Sequence, residues 1–380
     1  MKIAICVVTF NRLKSLKRLI KSIYMADYDT LDTYDLIISI DYSGSDEIYN
    51  YCKSLNWNHG NLIIKQYKNN LGLKEHILKC GNYVQDYDGI VLLEDDLIVS
   101  KAYLSYIKQI LPLCENKDNV AGISLYTYEC NEFADFRFFS PLKIQNDVYF
   151  MKIPSSWGEF WTKQQWNDFA MWMENEYEIT ASYDVPAAVN NWGNQSWKKI
   201  FSYYMVQTDK YFIYPYYGYS TNMGDMGEHN AESSNVMQCR LMEETIPLTI
   251  NYSSNNFIYY DQFMENENIT KLFQDTTIDI YGTKSNYNRY VISTKNMNYK
   301  ILKSWKLGLK PFELNIIKDI TGNSLFLYDT YINETNKNKN SIDIFMSYYP
   351  FTKNTIKKFS NAIIKECISK IKKVCISKIK

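Results

Sequence analysis

The stretch Gly89-Ile-Val-Leu-Leu-Glu-Asp-Asp-Leu97 sets an unbroken apolar run, Ile90 to Leu93, directly against three acids, Glu94, Asp95 and Asp96. A short continuous apolar run is the pattern of a strand buried on both faces, as in the middle of a parallel sheet. Ligands of open α/β sheets bind just beyond the carboxyl ends of such strands. Three adjacent acids there repel one another unless a cation or a proton offsets the charge. A hard divalent ion with oxygen ligands, Mn²⁺ or Mg²⁺, is the natural partner, since it keeps positions open for phosphate oxygens. The competing reading is a solvated acidic loop, which the buried-type strand before it disfavours.

The flanking sequence repeats the strand-and-helix alternation. Ile3 to Val8, Tyr34 to Ile40 and Leu62 to Gln66 read as strands. Leu16, Leu19, Ile20 and Ile23 recur at helical spacing within Leu13 to Tyr24, and a further helix runs through His76 and Leu78. This order predicts βαβ units and a mostly parallel sheet. Polar turns close each strand: Thr9 to Arg12, Asp41 to Ser43, Asn70 to Lys74, and the acid triplet. A parallel sheet gathers them at one edge. Neither GxGxxG nor GxxxxGK[ST] is present, so phosphate must be held by a metal and by basic side chains, with Arg12 and Lys74 as candidates.

Farther along, Val120 to Leu125 and Asp147 to Ile153 read as strands, with a Phe-rich stretch between them. Ser155-Ser-Trp-Gly-Glu-Phe-Trp161 follows, where Trp157 is a candidate wall for a bound ring. Trp166 and Trp172 lie in an expected helix, and Trp192 to Lys199 opens another reaching about Val206. Tyr211 to Tyr214 is a short strand, and the glycine-bearing segment from Tyr216 to His229 an aperiodic loop over the ligand. Beyond residue 240 the pattern turns to short strands around Tyr252 to Phe263, Thr277 to Ile280, Tyr290 to Ile292 and Leu325 to Tyr328. The chain therefore divides into residues 1–240, a smaller β-rich region over 241–334, and an Asn/Lys linker with a basic amphipathic tail over 335–380.

The formal net charge is zero, so no global field draws in nucleic acid. The eight cysteines are scattered and form no CxxC pair. No apolar run reaches the roughly 18 residues of a membrane span. The N-terminus lacks a signal-peptide pattern. These features predict a cytoplasmic protein with reduced thiols. Residues 353–380 carry nine lysines against one glutamate, with Ile356, Phe359, Ile363 and Cys367 at helical spacing. Such a tail suits contact with the anionic inner face of a membrane.

Val8-Thr-Phe-Asn-Arg12, Asp41, Asn70-Leu-Gly-Leu73 and Leu93-Glu-Asp-Asp-Leu97, in this order, resemble the GT-A-fold glycosyltransferases. The later Trp-Gly segment, the Trp-initiated helix and the loop ending in His229 look closest to the N-acetylglucosaminyltransferase I-like group and its bacterial relatives. The resemblance covers roughly residues 1 to 235. It implies a GT-A sheet and a metal-dependent, inverting transfer of a hexosyl or N-acetylhexosaminyl group. The donor would be a UDP-linked sugar, and the acceptor a glycan or lipid-linked molecule in surface polysaccharide assembly. By the same resemblance Asp96 binds Mn²⁺ or Mg²⁺ on the donor diphosphate, and His229 adds a second contact to metal or diphosphate. Glu94 and Asp95 face the ribose and sugar, while Thr9, Arg12 and Asp41 bracket the uridine.

One position departs from that pattern. Where the animal enzymes carry an aspartate base after the tryptophan that opens the later helix, this chain has Trp197-Lys198. A protonated lysine cannot take the acceptor proton. Asp225, Glu228 and Glu159 are the acids that remain for the role, Asp225 foremost. Two other readings stand beside the transferase. One is a GT-A-fold carbohydrate-binding protein without catalysis. The other is a sugar nucleotidyltransferase, whose Gly-rich basic signature after the first strand is missing here.

Overall fold

The computed structural model describes residues 1–175, 179–226, 233–252, 256–336 and 341–349. Its strands are β1 Lys2–Thr9, β2 Thr33–Ile40, β3 Leu62–Gln66, β4 Gly89–Glu94, β5 Leu97–Val99 and β6 Val120–Ser124. There follow β7 Cys130–Asn131, β8 Arg137–Phe138, β9 Val148–Met151, β10 Glu159–Thr162, β11 Tyr211–Pro215, β12 Ser220–Asn222 and β13 Tyr259–Tyr260. The last four are β14 Thr276–Asp279, β15 Tyr290–Ser293, β16 Tyr299–Trp305 and β17 Leu325–Asn333. The helices that frame the site are α1 Leu13–Tyr24, α2 Glu47–Lys53, α3 Leu73–Gly81, α4 Tyr103–Asn116, α5 Lys163–Asn175, α6 Ala187–Asn191 and α7 Trp197–Gln207.

Nine strands form the central sheet in the order β3-β2-β1-β4-β10-β6-β11-β9-β13. β1, β2, β3 and β4 are parallel, and β6 and β11 are parallel to each other. β10 runs antiparallel to both β4 and β6, and so restores a common direction for the strands on either side of it. Apolar runs such as Ile3–Val8 and Ile90–Leu93 are buried throughout because helices cover both faces. α1 shows how one helix is seated: Leu16, Leu19, Ile20 and Ile23 are buried in a single stripe, and its lysines face outward.

The expected α/β fold with a mostly parallel sheet is thus present, and its strands nearly coincide with the sequence reading. β10 was not anticipated: Glu159 opens it, and an acid followed by Phe160-Trp-Thr162 carries no strand alternation. Among its described residues the run from Tyr252 to Phe263 contains only β13, which adds to the edge of the large sheet beside β9. The C-terminal region holds a second sheet in the order β14-β15-β17-β16. The basic tail over 353–380 lies outside the described residues. Among the described residues no helix is long and apolar enough to cross a membrane, and all six cysteines are free.

Candidate active site

The parallel strands bring Thr9, Asp41 and the acid triplet to one edge of the sheet. Thr9 ends β1, next to β4, and its hydroxyl donates to Asp95 Oδ2 at 2.7 Å. Arg12, at the head of α1, spans the two aspartates: one guanidinium nitrogen is 2.5 Å from Asp95 Oδ1 and another donates to Asp96 Oδ2 at 3.0 Å. Asp95 is 2% exposed and Asp96 9%. Asp96 Oδ1 is buried with no partner among the described residues. Burial holds the Asp95 carboxyl above the usual aspartate range although Arg12 opposes it. For Glu94, burial and the charges of Asp96 and Asp95 outweigh Arg12 and Lys198 and push the carboxyl up to about 8.

One arginine therefore faces three acids. No preassembled group of three or more metal-ligating side chains occurs among the described residues. The donor set nevertheless fits a hard cation: Asp96 offers a buried, unused carboxylate oxygen, and a diphosphate and water would complete the oxygen shell. Such an ion would be held jointly by protein and substrate.

Asp41, at the end of β2, is occupied differently. Its Oδ1 accepts from the amides of Tyr42 and Leu71, at 2.8 and 2.9 Å, and its Oδ2 from that of Gly72 at 3.1 Å. Gly72 has φ +76°, a left-handed conformation that a side chain would disfavour. Asp41 thus folds the Asn70–Gly72 turn against the edge of the site. Lys74 donates to the Asn194 carbonyl at 3.2 Å and is not joined to the acids.

A second group lies on the other side of β4. Glu159 in β10 pairs with Leu92 in β4, which places it diagonal to Glu94 on the same face of the sheet. It is 0% exposed, and neither carboxylate oxygen has a hydrogen-bond partner among the described residues. Burial and the Glu94 charge hold its pKa well above the usual carboxylate range. Gly158, at φ +94°, makes the turn before it, and a Cβ there would meet Ser220 Oγ at 2.8 Å. That turn leaves Trp157 half-buried at the surface while Glu159 enters the interior. Trp157 packs edge-on against Tyr126 at 4.7 Å between ring centroids.

Lys198 is the second residue of α7, whose first turn is capped by Ser196 Oγ accepting from the Lys199 amide. Its ammonium donates to Glu132 Oε1 at 2.8 Å and lies 5.1 Å from the Trp157 ring. Glu132, Arg18 and Trp192 are site neighbours that the sequence reading did not single out. Glu132 sits in the Phe-rich stretch with no pattern around it, and Arg18 reads as one of several basic residues on the outer face of α1.

The loop after β11 returns to the triplet through β12, which pairs with β5, and through the Met223 amide donating to the Asp96 carbonyl at 2.9 Å. Asp225 in this loop is engaged by Arg18 and by Ser15 Oγ, the latter at 2.6 Å. Burial would raise its pKa, but these two partners outweigh burial and hold it below the ordinary aspartate value. Glu228 and His229 lie outside the described residues.

The profile of a family described as glycosyl transferase family 2 matches residues 4–210, more than half of the 380 residues. The chain belongs to glycosyl transferase family 2. In this family 2 chain the large sheet and its helices are the GT-A fold, and the match ends where β11 begins.

Among solved structures the family 2 chain is similar to S. aureus TarS 1-349 in complex with UDP-GlcNAc, at 13% identity and TM-score 0.38, over 60% of each chain. The same TarS fragment in complex with UDP matches at 13% identity and TM-score 0.37, over 58% of this chain and 60% of that one. A mannosyltransferase, PcManGT from Pyrobaculum calidifontis in complex with GDP-Man and Mn²⁺, matches at 12% identity and TM-score 0.34, over 57% and 58%. The chain spans about three fifths of the length of these proteins. None of the curated proteins compared matches it.

Proposed function

We propose that the chain is a metal-dependent, inverting glycosyltransferase. It moves a hexosyl or N-acetylhexosaminyl group from a UDP-linked donor to a glycan or lipid-linked acceptor in surface polysaccharide assembly. Among GT-A-fold glycosyltransferases we place it near the N-acetylglucosaminyltransferase I-like group. The observation that carries this reading is the acid triplet at the carboxyl end of β4, where one arginine faces three acids and Asp96 keeps a buried oxygen unused. Family membership supports it.

In this reading Asp96 and His229 would hold Mn²⁺ or Mg²⁺ at the donor diphosphate. The bound ion supplies Lewis-acid stabilisation of the leaving nucleoside diphosphate. Arg12 fixes both aspartates and adds a cation beside the phosphates. Thr9 and Asp41 shape the nucleoside end, and Trp157 walls the sugar end. As the bond from the anomeric carbon to the diphosphate breaks, the acceptor oxygen bonds to that carbon and its proton must leave. We assign the proton to Glu94 in its ionised form, the half-exposed member of the Glu94–Glu159 pair. Glu159 is fully buried, and neither of its carboxylate oxygens has a hydrogen bond among the described residues. Asp225 is committed to Arg18 and Ser15. The basic tail would keep the enzyme, cytoplasmic in this reading, against the inner membrane face that presents lipid-linked acceptors.

One observation favours a second reading, a GT-A-fold carbohydrate-binding protein without catalysis: Lys198 stands where the resemblance places the aspartate base. Release of nucleoside diphosphate from a panel of nucleotide sugars decides between the two. The assay is run with Mn²⁺ and with chelator, on wild type and Asp96→Ala. Turnover of one donor is expected, lost with chelator and reduced on the order of 10³-fold in the variant. Binding of a nucleotide sugar without turnover in the presence of a glycan acceptor panel would support the non-catalytic reading. No binding of any nucleotide sugar would sink both.

A further inference from the structure

Lys198 is 8% exposed, and its ammonium has two protein partners. It donates to Glu132 Oε1 at 2.8 Å and to the Tyr128 hydroxyl at 3.3 Å. The Tyr128 hydroxyl itself donates to the same Glu132 oxygen at 2.8 Å. An ammonium carries three donors, and among the described residues no oxygen or nitrogen accepts from the third, which faces the space beside the two indoles. Among the described residues no hydrogen bond reaches Glu132 Oε2. A donor and an acceptor thus stand side by side, both held in place by an ion pair that is largely sheltered from solvent.

Two tryptophans flank this pair. The Trp157 and Trp192 rings lie 5.1 and 5.4 Å from the Lys198 ammonium. Each is backed by another aromatic ring, Tyr126 at 4.7 Å and Phe133 at 6.1 Å, and each is half-buried. Chain connectivity ties the group to the acids, because Trp157 precedes Glu159 by one residue, Gly158. Lys198 is near enough for its charge to act on both Glu94 and Glu159.

We infer that Trp157, Trp192, Lys198 and Glu132 form the subsite for an uncharged pyranose of the acceptor. This rests on the transferase reading above. A sugar hydroxyl both donates and accepts, so one hydroxyl, or a vicinal pair, satisfies the free N–H and the free carboxylate oxygen together. The apolar face of a pyranose matches an indole wall. Charge selects against the alternatives. An anionic sugar would meet the Glu132 carboxylate, and a cationic one the Lys198 ammonium. The lysine at the position of the missing base thus acquires a role as a specificity-determining residue. It grips the acceptor without taking its proton.

The test uses the full chain with Mn²⁺ and UDP, and three probes: methyl glucoside, methyl galactoside and methyl glucuronoside. Binding is followed by tryptophan fluorescence and saturation-transfer NMR, and UDP binding is titrated separately on every variant. At least one neutral glycoside should bind saturably, and the glucuronoside about tenfold more weakly or not at all. Lys198→Met and Glu132→Gln should each weaken the neutral glycoside by about ten- to a hundredfold, as loss of a hydrogen bond to a charged group predicts. Trp192→Ala, at a half-buried position, should weaken it without the folding risk of the ion-pair variants. Tighter binding of the glucuronoside overturns the inference. So does retained glycoside binding in Lys198→Met, or wild type that binds UDP and none of the three probes. Wild type that binds a neutral glycoside but no UDP leaves the subsite standing and removes the transferase reading instead.

Discussion

Two buried acidic clusters in this molecule are built to opposite rules. In the C-terminal region Asp279 accepts from the amides of Thr283 and Lys284, at 2.7 and 3.0 Å, and from Ser293 Oγ at 3.2 Å, with Lys295 at 3.7 Å. Asp261 accepts from the amides of Phe263 and Glu265 and from Lys284 Nζ. These acids are surrounded by donors and tie the turn after β13 to the second sheet. At the carboxyl edge of the large sheet, neither Glu159 oxygen has a hydrogen-bond partner among the described residues, and Asp96 keeps an oxygen free. A buried polar group without a partner costs on the order of 1–3 kcal/mol. The first cluster stabilises the fold. The second carries that cost where a substrate or metal can relieve it.

The contrast is broken most sharply at Glu159. Glu159→Gln keeps the shape but removes the buried acid whose charge acts on that of Glu94, and turnover should fall on the order of 10²-fold, with thermal stability at or above wild type. Unchanged turnover, measured as nucleoside diphosphate release with acceptor, would return Glu159 to a purely structural place. Asp279→Ala should do the reverse. It strands two amides and Ser293, so unfolding in urea should show a loss of about 3 kcal/mol, while donor affinity measured on the folded fraction stays at the wild-type value. A variant as stable as wild type would show that the donors around Asp279 find water instead.

Glu265 gives the smallest and most diagnostic effect. Its Oε1 accepts from the Tyr281 amide at 2.8 Å, and its Oε2 has no partner. Burial and the Asp279 charge hold its pKa well above the usual carboxylate range. The unfolded chain releases this proton near pH 4.5 and the folded chain keeps it. Folding therefore takes up a proton, and stability falls as pH rises from about 4.5 toward the folded pKa. Glu265→Gln removes that slope. Urea denaturation should find variant and wild type nearly equal near the unfolded glutamate pKa and the variant the more stable of the two at neutral pH. A pH-independent difference would mean that Glu265 is ionised in the folded state.

Much of the fold was legible because its signals are local. The stripe of α1, Leu16, Leu19, Ile20 and Ile23, lies within eight residues, and the buried strands announce themselves as apolar runs. The acid triplet was legible for the same reason, since a strand followed directly by charge fixes where the charge ends up. β10 was not, because a four-residue strand headed by a buried glutamate looks like a loop. Its assignment comes from β4 and β6, between which it is hydrogen-bonded. Asp225 looked free in a glycine-bearing loop, and only the packing of that loop on α1 reveals Arg18 and Ser15 as its partners.

The sequence by itself determined the alternation of strands and helices over the first four strands, the edge at which polar turns collect, and the GT-A-fold glycosyltransferase class. These follow from periodicity and from residues adjacent in the chain. Tertiary structure alone decided which charges are satisfied. Asp225 meets Ser15 across 210 residues and Lys198 meets Glu132 across 66. Whether an acid is paired or orphaned depends on donors brought by distant segments into a space that excludes water, and no local pattern encodes that.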